Sequence, residues 1–239
     1  MIEFNKLTFN NKSTADFDFE IIVETSPSFN YVSSKSELFE LDGKTGALVR
    51  DNSNRSVLPL KYILHLIQPT EEQLKEIKRW LSAENVWLKP PQKNILHKVY
   101  KVESFSSLRD KLGNYQIEVE FKCDPIAYDI EPFNKVLSPN GTLDTLGDYE
   151  IFPKITIEGN STSEVSITIG TQVVRFSKLD TKIVMDGNPS NPVVLDKNGN
   201  DETVLWRGDF IKLQPNKRLG VVGSTGITSI KIECRWGWY

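Results

Sequence analysis

The sequence is poor in the side chains that most often carry chemistry. Among 239 residues there are two histidines, two cysteines and two methionines. Two cysteines do not make a disulfide scaffold. Histidine is the side chain best suited to proton transfer near neutral pH, so acid–base catalysis has little to draw on. Charge of either sign is scarce in excess: 29 Lys and Arg face 32 Asp and Glu, a net charge of −3. Divided at Phe133, the chain carries 17 basic and 20 acidic residues in its first part and 12 of each in its second. Neither part is a basic surface that would hold phosphates, which disfavours a DNA-binding domain. No apolar run reaches the roughly 18 residues that a membrane helix needs. The opening stretch from Met1 to Lys6 lacks a charged-then-apolar leader, so export by that route is not expected. These absences together lead us to expect a soluble protein that folds in a reducing cytoplasm, without a membrane partner.

What is present is enough to build a core. The hydrophobic content is 38%, with 12 Phe, 7 Tyr and 5 Trp, and the length suits one large domain or two small ones of about 100–150 residues. Phe17, Phe19 and Ile21 alternate with polar neighbours over 17–23, the period of a half-buried strand. Residues 26–59 differ: turn formers cluster at 26–28, 33–36, 42–43, 45–46 and 51–54, with few apolar residues between them. The Asp42-Gly43 pair is turn chemistry, and the segment reads as an extended arm or hairpin that must lean on another surface. The run from Leu58 to Ile67 reads as a buried strand. After it comes the one clear helix, 70–82, where Thr70 and Gln73 stand at capping-box spacing and Leu74, Ile77, Trp80 and Leu81 form an apolar stripe. Glu71 and Glu72 at its start and Lys78 and Arg79 at its end suit the helix dipole. Tyr100 with Val102, and the alternating run 115–123, read as further strands.

Turn formers over 133–149 mark the expected linker, giving a first domain at 1–133, a linker at 134–150 and a second domain at 151–239. The second part reads as strands at 154–158, 164–169, 172–176, 182–185, 192–195, 203–206, 210–213, 220–222 and 227–236, the last free to pair with either domain. Turns are expected at 158–160, 170–171, 186–189, 198–200 and 207–209. Short strands spaced by about 8–12 residues, with no helix, indicate a β-sandwich or jelly roll. The expected fold class is mainly β with one helix.

No constellation of catalytic or metal-binding residues emerges. His65 sits within an apolar strand, where a core or interface role fits, and His97 lies in a loop-to-strand stretch that suits a solvated position. Alternation points Cys123 and Cys234 inward with their neighbours, as structural thiols. The acidic loop at 196–201 departs from a calcium loop at its glycine and closing-glutamate positions, which are Asp201 and Arg207. No metal, no cofactor and no enzymatic activity are expected. The alternative is carbohydrate binding by the second domain, for which Trp206, Trp236, Trp238 and Tyr239 are the candidate stacking residues. Alternation favours a packing role for Trp236 and Trp238.

Several segments, in order, resemble the distal tail (Dit) family of long-tailed phages that infect Gram-positive bacteria. They are Ser28-Phe-Asn-Tyr leading into a glycine-containing hairpin; the helix ending in Trp80-Leu81, followed by Trp87-Leu88; the run from Tyr115 to Tyr128 with its Asp124-Pro125; and Pro153 to Gly159 together with Gly208 to Pro215. The stretch from Gln214 to Leu219 departs from the Pro-Gly-Asn that the family often has there. The resemblance implies a ring-forming N-terminal β domain with a helix and a belt-like hairpin, and a C-terminal galectin-like β-sandwich. It implies a homohexameric structural hub in the virion, at the distal end of the tail, made and assembled in the host cytoplasm. Its implied partners are itself, the tail-tube protein, a tail-associated lysin or fibre protein and receptor-binding parts, with DNA only passing through the channel. The apolar beads of the arm, Phe29, Tyr31, Leu38, Phe39, Leu41 and Leu48, are then the expected subunit-interface anchors.

Overall fold

The computed structural model describes residues 6–24, 34–40, 45, 47–91, 93–189 and 191–239, excepting the side chains at 34–36, 38, 47–49, 51–54 and 104–105. The chain divides into two compact units, Met1–Ala127 and Tyr128–Tyr239. Both are built almost wholly from strands, with a single α-helix among the described residues.

The first unit contains β1 (Thr8–Phe9), β2 (Lys12–Ser13), a short 3-10 turn (Thr14–Asp16), β3 (Ile21–Val23), β4 (Ser34–Glu40), β5 (Ala47–Arg55), β6 (Leu58–Leu66), α1 (Glu71–Leu81), β7 (Val86–Lys89), β8 (Ile95–Arg109) and β9 (Tyr115–Asp129). β9 ends just inside the second unit. The sheet order is β2-β1-β7-β8-β9-β6-β3, while β4 and β5 pair with each other in a sheet of their own. The backbone of the sheet is the antiparallel β6–β9 pair, which runs from Leu58 opposite Cys123 to Leu66 opposite Tyr115. Along it Leu58, Leu60, Tyr62 and Leu64 stand across from Cys123, Phe121, Val119 and Ile117, all of them buried. Pro59 and Lys61 face solvent between them. A strand expected to be buried throughout is therefore amphipathic, with the alternation that lets one face of an antiparallel sheet meet water.

The helix forms where capping chemistry places it. Thr70 accepts a hydrogen bond from the Gln73 backbone, and the Gln73 side chain accepts one from the Thr70 N–H at 2.8 Å. Its buried face presents Ile77, Trp80 and Leu81 to the sheet. Trp80 is the centre of an aromatic cluster, edge-on to Phe9 at 5.7 Å and to Phe17 at 5.3 Å. Its indole N–H donates to the Phe9 carbonyl at 2.8 Å, so the ring is buried without leaving its donor unsatisfied.

The expected strand over 17–23 is shorter than its alternation suggests, since only Ile21–Val23 pairs, with β6. Upstream, Ser13 and Asp16 form a reciprocal capping box around the 3-10 turn. Local side-chain bonding thus draws the chain away from an extended course. Phe17 nevertheless stays in the core, edge-on to Phe19 at 5.7 Å.

The second unit contains β10 (Phe133–Leu137), β11 (Asn140–Asp144), β12 (Lys154–Ser161), β13 (Val165–Ile169), β14 (Gln172–Phe176), β15 (Leu179–Asp186), β16 (Val193–Leu195), a 3-10 turn (Thr203–Leu205), β17 (Trp206–Arg207), β18 (Arg218–Gly223), β19 (Ile227–Cys234) and β20 (Gly237–Trp238). Two five-stranded sheets, β10-β19-β12-β15-β16 and β11-β18-β13-β14-β17, enclose one core that includes Ile155, Ile157, Ile167, Phe176, Val221, Ile230 and Ile232. This is a β-sandwich. Residues 133–149, read from sequence as turn-rich linker, hold β10 and β11, which pair with β19 and β18. Their few inward residues, Leu137 and Leu143, suffice to anchor them to the core. β19 pairs with β10 and β12, within this unit.

Three further local expectations differ from the structure. Residues 203–205 are a 3-10 turn rather than a strand. Of 210–213, Leu213 makes only an isolated bridge to Ile151. The expected turn at 158–160 lies inside β12, where the register against β19 shifts between Glu158 and Gly159. Gly159 has φ +152, and a Cβ there would collide with the Gly226 carbonyl. A bulge thus takes the glycine that the sequence offered to a turn.

Two stability effects follow. Trp80→Ala should destabilise the first unit by about 3–5 kcal/mol, read as a shift of its urea unfolding midpoint. Gly159→Ala should lower the stability of the second unit by more than about 1 kcal/mol, leaving the first unit's transition in place.

Candidate functional site

The element with the most unsatisfied potential is the β4–β5 hairpin. Its register runs from Glu40 opposite Ala47, through Phe39 opposite Leu48 and Glu37 opposite Arg50, to a bulge between Ser34 and Ser36. Among the described residues neither strand pairs with any other. Phe39 is 47% exposed, and Glu37, Glu40 and Arg50 are exposed beside it. A lone two-stranded hairpin is at best marginally stable in water. Its two outer edges carry backbone donors and acceptors that can be satisfied by another strand or by solvent.

The six expected anchors fall unevenly on this element. Leu38 and Phe39 lie on β4 and Leu48 on β5. Phe39 is the one whose side chain is described, and it is exposed. Phe29, Tyr31 and Leu41 lie outside the described residues.

The residues considered for chemistry are dispersed. His65 Nε2 lies 3.3 Å from Glu24 Oε2 at a half-exposed position. His97, expected at a solvated position, is buried instead, because β8 carries it opposite Leu88 of β7. Cys123 is buried and Cys234 partly buried, and burial pushes both thiols up to about 12. At that value neither supplies thiolate near neutral pH. Asp196 bonds its own loop through the backbone of Asn198 and Asn200, at 2.7 and 2.8 Å, which is a polar hairpin tip. Among the described residues no three His, Cys, Asp or Glu side chains converge as a metal site would require. No helix among them is long and apolar enough to cross a membrane.

The aromatic residues considered for sugar stacking are mostly engaged in packing. Trp236 is buried, Trp206 packs against Phe210 at 4.7 Å, and the Trp238 N–H donates to Asp129 Oδ1 at 2.8 Å. Arg235 donates to the Asp129 and Ile130 carbonyls beside it. Tyr239 is the exposed member of the set.

A second feature was not anticipated from sequence. The β8–β9 ribbon ends in a turn tied by Asp110, whose carboxylate accepts from the Leu112 and Asn114 backbones, both at 2.8 Å. Leu108 is 69% and Leu112 75% exposed at this tip. The signal was present in the Asp110 to Asn114 turn chemistry between two strand-like runs, but the exposure of the leucines depends on what the fold leaves uncovered.

No protein-family model and no curated protein matches the chain. Among solved structures, the crystal structure of SPP1 Dit (gp 19.1), described as a paradigm of the hub adsorption apparatus in phages infecting Gram-positive bacteria, superposes with a TM-score of 0.73. The match covers 98% of this chain and 100% of that one, at 14% identity. Two chains so far apart in sequence share a fold from end to end, and it is the fold that the resemblance to distal tail proteins implied.

His97 generates a measurable consequence. Its buried Nδ1 has no hydrogen-bond partner. Burial lowers its pKa from the ordinary 6.5, and the charge of Lys93 adds to this, while the backbones of Ile126 and Asp124 and the Asp124 carboxylate oppose it. The unfolded chain therefore takes up a proton at a pH where the folded chain does not, and stability falls as pH drops below 6.5. Urea midpoints of the first unit should decrease on acidification through this window, and His97→Leu should flatten the dependence. An unchanged slope in the variant would assign the acid sensitivity elsewhere.

Proposed function

We propose that this chain is a structural hub subunit of a phage tail tip, which works by self-assembly and docking rather than by catalysis. The supporting observation is the detached β4–β5 hairpin on a chain that shares its fold with a phage adsorption-apparatus hub. A hairpin that pairs with no further strand among the described residues gains stability against a neighbouring copy. Contact between unlike surfaces of identical copies is heterologous, and such contacts close into a ring when their rotation permits.

In this role six copies form a ring at the distal end of the tail. The first unit supplies the ring and its hairpin the belt, with Phe29, Tyr31, Leu38, Phe39, Leu41 and Leu48 as anchors between subunits. An obligate interface of this kind buries roughly 2,000 Å² or more. The ring joins the tail-tube protein on one side to a tail-associated lysin or fibre protein on the other, and the second unit offers an attachment point for receptor-binding parts. The near-neutral net charge of −3 suits a channel that lets DNA pass without gripping it, because phosphate affinity grows with the number of cationic contacts.

Deletion of residues 30–56 tests the central element. Among the described residues neither core draws on 30–56, so circular dichroism should report folded protein while light scattering reports loss of the assembled species. Assemblies of undiminished mass in the deletion variant would contradict the role given to the hairpin.

A further inference from the structure

The chain contains two Asn-Gly pairs, Asn140-Gly141 and Asn198-Gly199, and the fold treats them in opposite ways. In this dipeptide the glycine nitrogen can attack the preceding side chain, because glycine places no Cβ in the path and leaves the backbone free to turn. Attack requires the Asn–Gly junction to leave the extended conformation. Asn140 and Gly141 cannot do so without breaking a ladder, since they lie in β11 opposite Val222 and Val221 of β18. Asn198 and Gly199 stand exposed at the tip of the loop after β16, in no strand. Gly199 has φ +85, and nothing lies within 4 Å of the place its Cβ would take.

Asp196 organises that tip. Its Oδ1 accepts from the Asn198 and Asn200 backbones at 2.7 and 2.8 Å, and its Oδ2 accepts from the Asn200 side-chain amide at 3.0 Å. The Asn198 side-chain nitrogen faces the same Oδ2 at 3.5 Å. The Asn200 amide leads these contacts in holding the Asp196 carboxyl below its ordinary value, so it is charged near neutral pH. The Gly199 nitrogen is restrained by a bond to the Asp196 carbonyl at 3.2 Å, the long end of the range for such bonds.

We propose that Asn198-Gly199 is a site of spontaneous covalent modification, at which asparagine converts with time to a mixture of aspartate and isoaspartate. The Gly199 nitrogen gives its proton to solvent base and bonds to the Asn198 side-chain carbonyl carbon. The bond from that carbon to the side-chain nitrogen breaks, and the nitrogen leaves as ammonia after taking a proton from water. Water then opens the succinimide ring at one of its two carbonyls, which leaves aspartate or isoaspartate. No electrons are transferred, and water is the only reagent. Each event replaces a neutral amide by a carboxylate and takes the net charge from −3 to −4. In the aspartate product the new carboxylate faces Asp196 where an amide N–H stood, so an acceptor meets an acceptor and two like charges share one turn. The tip loosens in one direction only, because the ammonia is lost to solvent. The reaction needs the single chain alone and does not depend on assembly.

Ageing of the full chain provides the test, with the pair at 140–141 as an internal control. Samples stand for days at mildly alkaline pH, folded in one arm and in concentrated urea in the other, and are then digested. Peptide masses report conversion at Asn140 and Asn198, and labelling by an isoaspartate methyltransferase separates the two products. In the folded protein Asn198 should convert at least about tenfold faster than Asn140, because the ladder adds to the barrier at Asn140 alone. In urea the two rates should draw together, since both pairs then share the same freedom. Asn198→Asp should keep the native circular dichroism while hydrogen exchange quickens at the Asn200 amide, which Asp196 holds in the native turn. Conversion at Asn198 no faster than at Asn140 in the folded protein would overturn the proposal. So would protection of Asn198, relative to urea, as strong as that of Asn140.

Discussion

Backbone hydrogen bonding at strand edges governs this molecule. A strand inside a sheet satisfies its N–H and C=O groups on both sides; one at an edge satisfies half of them and leaves the rest to solvent or to a partner. The second unit limits the problem by keeping the edge strands of its two sheets, β10, β16, β11 and β17, to five, three, five and two residues. The first unit does not. Among the described residues its β4–β5 hairpin pairs with no strand of the main sheet, and β7 pairs with β8 only from Val86 opposite Val99 to Leu88 opposite His97. In the hub role proposed above, a neighbouring copy satisfies the edge groups of the hairpin.

The rest of the structure makes that exposure tolerable. The first unit is held by a core centred on Trp80, Phe9, Phe17 and Phe121. The second is held by an independent core of branched aliphatic residues. Each core is built from residues of its own unit.

Much of the fold is legible in the sequence, and the reasons are local. Thr70 and Gln73 announce the helix start because capping satisfies backbone groups within four residues. The alternation over 115–123 and 165–169 announces strands because period two is the signature of one buried face. Where local chemistry offers two outcomes, the sequence misleads. Phe17 and Phe19 alternate like a strand, yet Ser13 and Asp16 cap a turn just before them. Gly159 looks like a turn residue, yet pairing on both sides of β12 turns it into a bulge. His97 looks solvated because its burial comes from the pairing of β8 between β7 and β9, which the residues around it do not announce. The candidate interface is legible only in part. The thin apolar content of 26–59 marks an arm, whereas the pairing of β4 and β5 with each other, apart from the main sheet among the described residues, is a property of strand order that local residues do not announce.

The solution mass of the intact 27.2 kDa chain bears most directly on the central claim, measured by light scattering across micromolar concentrations and paired with negative-stain imaging of the same samples. The account predicts a species of about six chain masses that images as an annulus with a central hole. A species of one chain mass at every concentration, imaging as solitary particles, would contradict it.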